Sequence, residues 1–350
     1  MNRRFALLLA VTAVAVAAAW TVSERRAPRT GIESPPLFPG LLERVNDIGR
    51  IEIAADGAGT VLVRDGGLWR IENRDRYPAR AEAVTRLAVQ VAAIRVVEEK
   101  TSRPDLYSRL GVDDIETPGS GAVRLRLLDA TGRPVAALLA GRMRAAQAGG
   151  PRTPARYVRR VGQPQALLVQ GALEIPVAPV EWMDAELLDI AQDRVASVSI
   201  RHVDGSSFEI RRADPQAREF TASLPPGWTP KSAALLLPLA AVLADLRFED
   251  VRAAAAFSFA PGSATVTTLR TFDGLTIETA TAGVDGRAWT RIAARADAPA
   301  GGPAQDATQV SEQAKAIGER CDGWVFALPV HVAARLTRTL QDLALPPAAK

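Results

Sequence analysis

The chain writes one pattern twice, and any fold it adopts must accommodate both copies. The first runs from Leu41 to Glu99 and the second from Leu188 to Asp250. Each reads as a short helix, a β-hairpin and one amphipathic helix. At an offset of 147, Leu41 falls on Leu188, Ile48 on Val195, Ile51 on Val198, Ile53 on Ile200, Val61 on Phe208 and Val63 on Ile210. The turn Asp56-Gly57 meets Asp204-Gly205 after a one-residue slip. At an offset of 152, Val84, Leu87, Val91 and Ile94 fall on Leu236, Leu239, Leu243 and Leu246, and Arg95 falls on Arg247. The first set alternates as a strand does and the second recurs at helix spacing, so one accidental periodicity cannot produce both matches.

The elements between these landmarks are legible from turn chemistry and period. Ile51-Glu52-Ile53 and Val61-Leu62-Val63 form a hairpin about Asp56-Gly57, and Asp65-Gly66-Gly67 turns the chain into Leu68-Trp69-Arg70-Ile71. Val84, Leu87, Val91 and Ile94 line one helix face. Tyr107 to Leu110 is a short helix closed by Gly111. Val123–Leu127 with Val135–Leu139, and Arg156–Arg159 with Ala166–Val169, are further hairpins. In the second half, Trp182–Ile190 is expected as a short helix and Thr265–Thr271, Leu275–Thr281 and Ala288–Ala293 as a meander. Trp289 and Arg291 echo Tyr157 and Arg159. Ser311–Arg320 is expected as a helix, Trp324-Val325-Phe326 as a strand, and Val330–Leu343 as a closing helix. Pro238 either sits in the first turn of the second copy's helix or kinks it. The fold class is therefore α+β: two tandem pseudo-repeated units of antiparallel β-hairpins or meander, each packed by an amphipathic helix, after one N-terminal transmembrane helix. The units run over 41–178 and 179–350, with a mobile Pro-, Gly- and Ala-rich loop at 296–310.

Phe5 to Val22 is free of charge and rich in Ala and Val, with Arg3-Arg4 before it and Glu24-Arg25-Arg26 after it. At 1.5 Å per residue it spans about 27 Å, close to the hydrocarbon thickness. It is expected as a single-pass anchor within 1–26; a signal peptide cut between Ala19 and Trp20 is the other reading. Residues 27–40 carry Pro28, Pro35, Pro36 and Pro39 and read as a stiff linker. Arg3, Arg4, Arg25, Arg26 and Arg29 against Glu24 account for the whole formal charge of +4. The rest of the chain is neutral, which removes the main support for a nucleic-acid partner. The expected location is the inner membrane, single-pass, with the body in the periplasm.

Chemistry-bearing residues are sparse. Cys321 is the one cysteine, so no intramolecular disulfide or multi-cysteine metal site can form. His202, on a strand beside Arg201, and His331, opening a helix, read as an exposed and a surface or capping residue. A hydrolase would need a Ser, Asp or His set around one of them. Asp113-Asp114 and Glu98-Glu99 are contiguous and need not face one cleft. Pro118-Gly119-Ser120-Gly121 is a plain loop, since no strand leads into it and no helix follows. Trp69, Trp182, Trp289 and Trp324 fit core packing better than a glycan platform. No catalytic, metal or cofactor residue is assigned. Between Ala130 and Leu173, however, the chain has no acidic residue. Arg142, Arg144, Arg152, Arg156, Arg159 and Arg160 are the candidate patch for an anionic partner, set against a solvated face.

The runs Leu37-Phe38-Pro39-Gly40-Leu41, Leu68-Trp69-Arg70-Ile71, Tyr77-Pro78-Ala79, Lys100 to Val112 and Trp182-Met183-Asp184 resemble the bacterial domain-of-unknown-function 4340 family. The resemblance covers about residues 37 to 295, and Lys100 to Val112 is its most specific part. It implies a membrane span and an extracytoplasmic body, and some members are encoded beside ABC-type transport components. No catalytic residues are established for the family. The expected function is a non-enzymatic, membrane-anchored accessory protein of an envelope complex such as an ABC-type transport system, with an envelope membrane protein as partner. The alternative is a lipid- or glycan-binding module with its ligand between the two repeats.

Overall fold

The computed structural model describes residues 34–144, 153–257, 259, 262–300 and 307–347. The apolar run Phe5–Val22, linker residues 27–33 and Arg152 lie outside the described residues, as do 301–306 of the expected loop. Among the described residues no helix is long and apolar enough to cross a membrane.

The strands of the first half are β1 (Ile48–Ala55), β2 (Ala58–Asp65), β3 (Leu68–Ile71), β4 (Tyr77–Pro78), β5 (Arg95–Glu99), β6 (Val123–Asp129), β7 (Pro134–Met143), β8 (Ala155–Arg160) and β9 (Ala166–Gln170). They make one antiparallel sheet in the order β4-β3-β2-β1-β6-β7-β8-β9-β5. Helix α1 (Ala81–Ala93) covers its inner face with Val84, Leu87 and Val91. Each of these side chains stabilises the fold by about 1.5–3 kcal/mol relative to exposure. Helix α2 (Tyr107–Leu110) ends on Gly111, whose φ of 68° is the left-handed cap its sequence position predicts.

In the second half come β10 (Glu186–Leu188), β11 (Val195–Arg201), β12 (Ser207–Arg211), β13 (Thr221–Ser223), β14 (Thr229–Pro230), α3 (Leu237–Ala240), β15 (Leu246–Arg247) and β16 (Asp250–Ala253). Then follow β17 (Thr265–Thr271), β18 (Leu275–Val284), β19 (Arg287–Ala296), α4 (Ala307–Cys321), β20 (Trp324–Ala327), α5 (Val330–Leu336), α6 (Leu340–Leu343) and β21 (Ala344–Leu345). The large sheet here is also antiparallel, in the order β13-β12-β11-β17-β18-β19-β20-β16. Apart from β4, the two large sheets have the same order: a reversed three-strand meander, a four-strand meander, then the strand that precedes it along the far edge. Ile51 lies between Leu62 and Leu127, as Val198 lies between Ile210 and Leu269. The register slips between Ile48 and Arg50 on β1 and between Val195 and Ser197 on β11, the same place in each.

Several expectations change in the structure. Val61 and Val63 do not correspond to Phe208 and Ile210. Ile53 pairs with Thr60 and Ile200 with Phe208, so Thr60 and Leu62, both fully buried, hold those positions. The one-residue slip at the turn persists through the returning strand, and a slip of one moves every side chain to the other face. Leu236, Leu239, Leu243 and Leu246 are all buried, but they do not lie on one helix. Only Leu237–Ala240 is α-helical, the following turns close over three residues, and Asp245 leaves at φ 47°. Pro238 lacks an N–H and its ring excludes the carbonyl four residues earlier, which confines it to a first turn. Leu246 is then drawn into pairing with Leu188. Helix α4 packs on β19, β18 and β10 and buries Val310, Ala314, Ile317 and Cys321.

Trp182–Ile190 is not a helix: a 3₁₀ turn, Pro179–Trp182, is followed by strand β10. The closing helix is two helices, because Thr339 opens a new one, donating both its N–H and its Oγ1–H to Asp342 Oδ2. The linker also ends earlier than expected. Leu37 N donates to Ile94 O at 2.9 Å and Val96 N donates to Pro35 O at 2.8 Å, so Pro35–Leu37 lies along the β5 edge. The loop expected at 296–310 is shorter, since β19 reaches Ala296, α4 begins at Ala307, and Asp297 N and Ala300 N bond to Gly274 O and Phe272 O.

Candidate functional site

The arginine-rich stretch folds as the β7–β8 hairpin, and its six candidates separate by what their guanidiniums meet. Arg156 donates to Gly141 O (2.8 Å) and Leu173 O (2.9 Å), and burial lowers its pKa. Arg160 donates to Leu37 O at 2.7 Å and lies 5.9 Å from the Phe38 ring centroid. Arg159 is 5% exposed; it donates to Val112 O (2.9 Å) and Asp114 Oδ1 (2.8 Å), and stacks 4.5 Å from the Tyr107 centroid. These three hold the chain's own backbone. Arg142 and Arg144 instead form no ion pair with any described residue, and Arg142 is exposed. Arg152 lies outside the described residues. Of the candidate patch, then, Arg156, Arg159 and Arg160 are committed to carbonyls and rings of the chain itself, and Arg142 and Arg144 are the described members whose guanidiniums form no ion pair with a described residue.

What Arg159 holds is the segment from Lys100 to Asp114, a strap across the outer face of β7, β8 and β9. Tyr107 OH donates to Pro164 O, and Tyr107, Val112 and Ala166 form a small apolar cluster. The strap passes so close to β7 that a Cβ on Gly141 would lie 2.3 Å from Leu110 O and 2.7 Å from Val112 Cγ1. Glycine is therefore required there, although nothing local in the sequence marks it. The second half repeats the device in a looser form. Arg291 lies 4.8 Å from the Phe259 centroid and donates weakly to Ala254 O and Phe257 O, while Phe257 packs 4.6 Å from Trp289. Arg159 and Arg291 thus each lie over an aromatic ring of a neighbouring segment, Tyr107 and Phe259.

The other candidates are accounted for in the same way. His202 is not an exposed strand residue: it follows β11, is half-buried, and its Nε2 lies 3.0 Å from Arg338 O. It borders a cleft of about 510 Å³ with Val203, Trp228 and Leu340. His331 is exposed at the start of α5. Asp114 is engaged by Arg159 and Glu98 by Lys100. Burial pushes the Cys321 thiol up to about 12. Trp182 is 1% exposed and donates to Pro176 O, Trp289 is 6% exposed, and Trp69 and Trp324 pack against the main core. Among the described residues no three His, Cys, Asp or Glu side chains are grouped to hold a metal.

The join between the halves is filled. Tyr77 meets Trp324, Phe248 and Phe326 edge-on at 4.8, 5.7 and 6.5 Å between centroids. Asp75 and Arg76, both left-handed at φ 51° and 64°, turn the chain so that Asp75 accepts from Ala253 N at 2.8 Å. Arg74 and Arg287 both bond Asp250. Arg80 N donates to Trp182 O, and Thr60 Oγ1 to Val177 O. A single hydrophobic cluster runs through both halves.

A family described as "Domain of unknown function (DUF4340)" matches residues 69–273, more than half of the chain. The chain belongs to the DUF4340 family. The matched span begins at β3, takes in the strap and the β7–β8 hairpin, and ends just after β17. Within this DUF4340 chain the Lys100–Val112 run is thus the strap, and its Tyr107, Gly111 and Val112 are the residues that Arg159 and Gly141 receive. No curated protein and no solved structure shows significant similarity to the chain.

Proposed function

We propose that this DUF4340 protein is a membrane-anchored, extracytoplasmic, non-enzymatic accessory protein that docks onto an envelope complex, an ABC-type transport system being the partner class. The observation that carries the reading is the attachment of the N-terminal segment. Eleven residues separate Val22, the end of the apolar run, from Ser34. From Pro35 the chain is stapled to β5, and Leu37 is fully buried. Fully extended, that interval reaches at most about 40 Å. An apolar segment in a bilayer would hold the body within that distance of the surface, where a membrane complex can be met at high effective concentration.

The body is also read as a duplication, two copies of one α+β unit welded at the Tyr77 cluster. Support comes from the shared strand order, the shared slip on β1 and β11, and the arginine-on-aromatic straps of both halves. A ligand between the copies has no such support, because aromatic rings and ion pairs occupy the join.

Affinity purification from detergent-solubilised membranes, with mass spectrometry of what co-elutes, tests the function. An integral membrane partner is expected in repeated preparations. Recovery of the protein alone under several mild detergents would defeat the reading.

A further inference from the structure

We propose that Arg109, Arg142 and Arg144, with Met143 among them, form a contact surface for anionic lipid headgroups. The proposal rests on the membrane-anchored reading above. Leu110 and Gly111 of the strap lie directly against Gly141 and Arg142, and a Cβ on Gly111 would be 3.2 Å from Arg142 Cγ. This brings Arg109, exposed at the end of α2, to the exposed end of β7. None of the three arginines forms an ion pair with a described residue. The sequence has no acidic residue between Ala130 and Leu173, and on the strap Asp105 and Asp114 are engaged by Arg103 and Arg159. Met143 is 52% exposed between two of them. The corresponding hairpin of the second half ends in Asp285-Gly286, and its Arg287 is paired with Asp250. The unneutralised charge is therefore particular to the first hairpin.

Position selects lipid over another anion. Arg144 N bonds to Ala155 O, Ala155 pairs with Gln170, Gln170 with Arg95, and Arg95 with Pro36. Four strand spacings, about 19 Å, thus separate Arg144 from the point where the tether joins the body. The tether's reach exceeds this distance, so the arginines can meet the same surface that holds the anchor. A forked guanidinium suits a phosphodiester, and an exposed methionine suits the apolar boundary beneath it.

The test uses the full chain with Met143→Cys carrying an environment-sensitive dye; Cys321, 1% exposed, is not labelled. The chain is placed in nanodiscs of zwitterionic lipid and in discs containing anionic lipid. A blue-shifted, quencher-protected dye is expected in anionic discs alone, reversed by salt. Each of Arg109→Gln, Arg142→Gln and Arg144→Gln should weaken the docked state about fivefold, and Arg218→Gln, at an exposed arginine between β12 and β13 of the second half, should not. Equal emission in both discs, or an equal loss with Arg218→Gln, would overturn the proposal. So would a response to polyglutamate with none to anionic discs, which would point to an acidic protein surface. Failure of the chain to enter discs of either kind would instead defeat the anchoring reading. The headgroup contact is then read by adding the labelled chain to vesicles of the same two compositions, where binding to neither overturns it.

Discussion

Arg159 shows how much one side chain can carry when its charge is spent on backbone. Its guanidinium satisfies Val112 O inside the protein and stacks on Tyr107, while its partner Asp114 is 63% exposed. The two ends of this ion pair therefore matter unequally. Arg159→Ala leaves a buried carbonyl without a donor and should lower the unfolding free energy by about 2–4 kcal/mol in urea titrations. Asp114→Asn removes an exposed charge and should cost less than about 1 kcal/mol. Equal effects would mean that the strap is held by the ion pair and not by the carbonyl bond. The cap at Gly111 was legible, because a glycine after a short helix has a local cause. The roles of Gly141 and Arg159 were not, since a solvated arginine and one wrapped by a strap 45 residues away in the chain look alike in sequence. Arg109 was missed for the converse reason: it stands in the run most specific to the family, and only the fold brings it to the β7–β8 hairpin.

At the scale of elements, α1 and the segment 233–246 share an apolar spacing and differ in form. Spacing says which side chains face a core, and both segments bury theirs. It does not say which backbone bonds hold them there. In α1 each amide from Ala83 or Val84 onward donates within a regular helix, whereas after Leu236 the donors reach back mostly three residues. Hydrogen exchange is expected to find the amides of Val84–Ala93 protected longer than those of Leu239–Ala244, by an order of magnitude or more. Equal protection would indicate a continuous second helix and restore the expectation from periodicity. The same distinction explains β2, where Val61 and Val63 align by spacing with Phe208 and Ile210. The inward positions belong to Thr60 and Leu62, because strand register is set by the turn and the partner strand.

For the whole molecule, the join at Tyr77 belongs to one hydrophobic cluster that runs through both halves, so the halves are expected to unfold together. Burial holds Tyr77 and Cys321 each up to about 12, from ordinary values of 10.0 and 9.0. In the interval between, the unfolded chain binds fewer protons than the folded one, so stability falls as pH rises. The contribution of these two groups should be fully present below about pH 9 and be lost from there toward 12, more gently above pH 10 in Tyr77→Phe. Far-UV circular dichroism and tryptophan fluorescence should report one shared transition. Two separated transitions would show that the join does not couple the halves.

The amino-acid sequence determined the mixed α and antiparallel β character, most strands and turns and the helix α1, because these follow from short-range period and from turn residues with fixed backbone needs. Only the tertiary structure decided which β2 residues face inward, that the helix at Pro238 is confined to Leu237–Ala240, and which arginines are buried. Those outcomes depend on contacts between segments far apart in the chain, where competition for one buried surface selects among conformations that local preference leaves nearly equal.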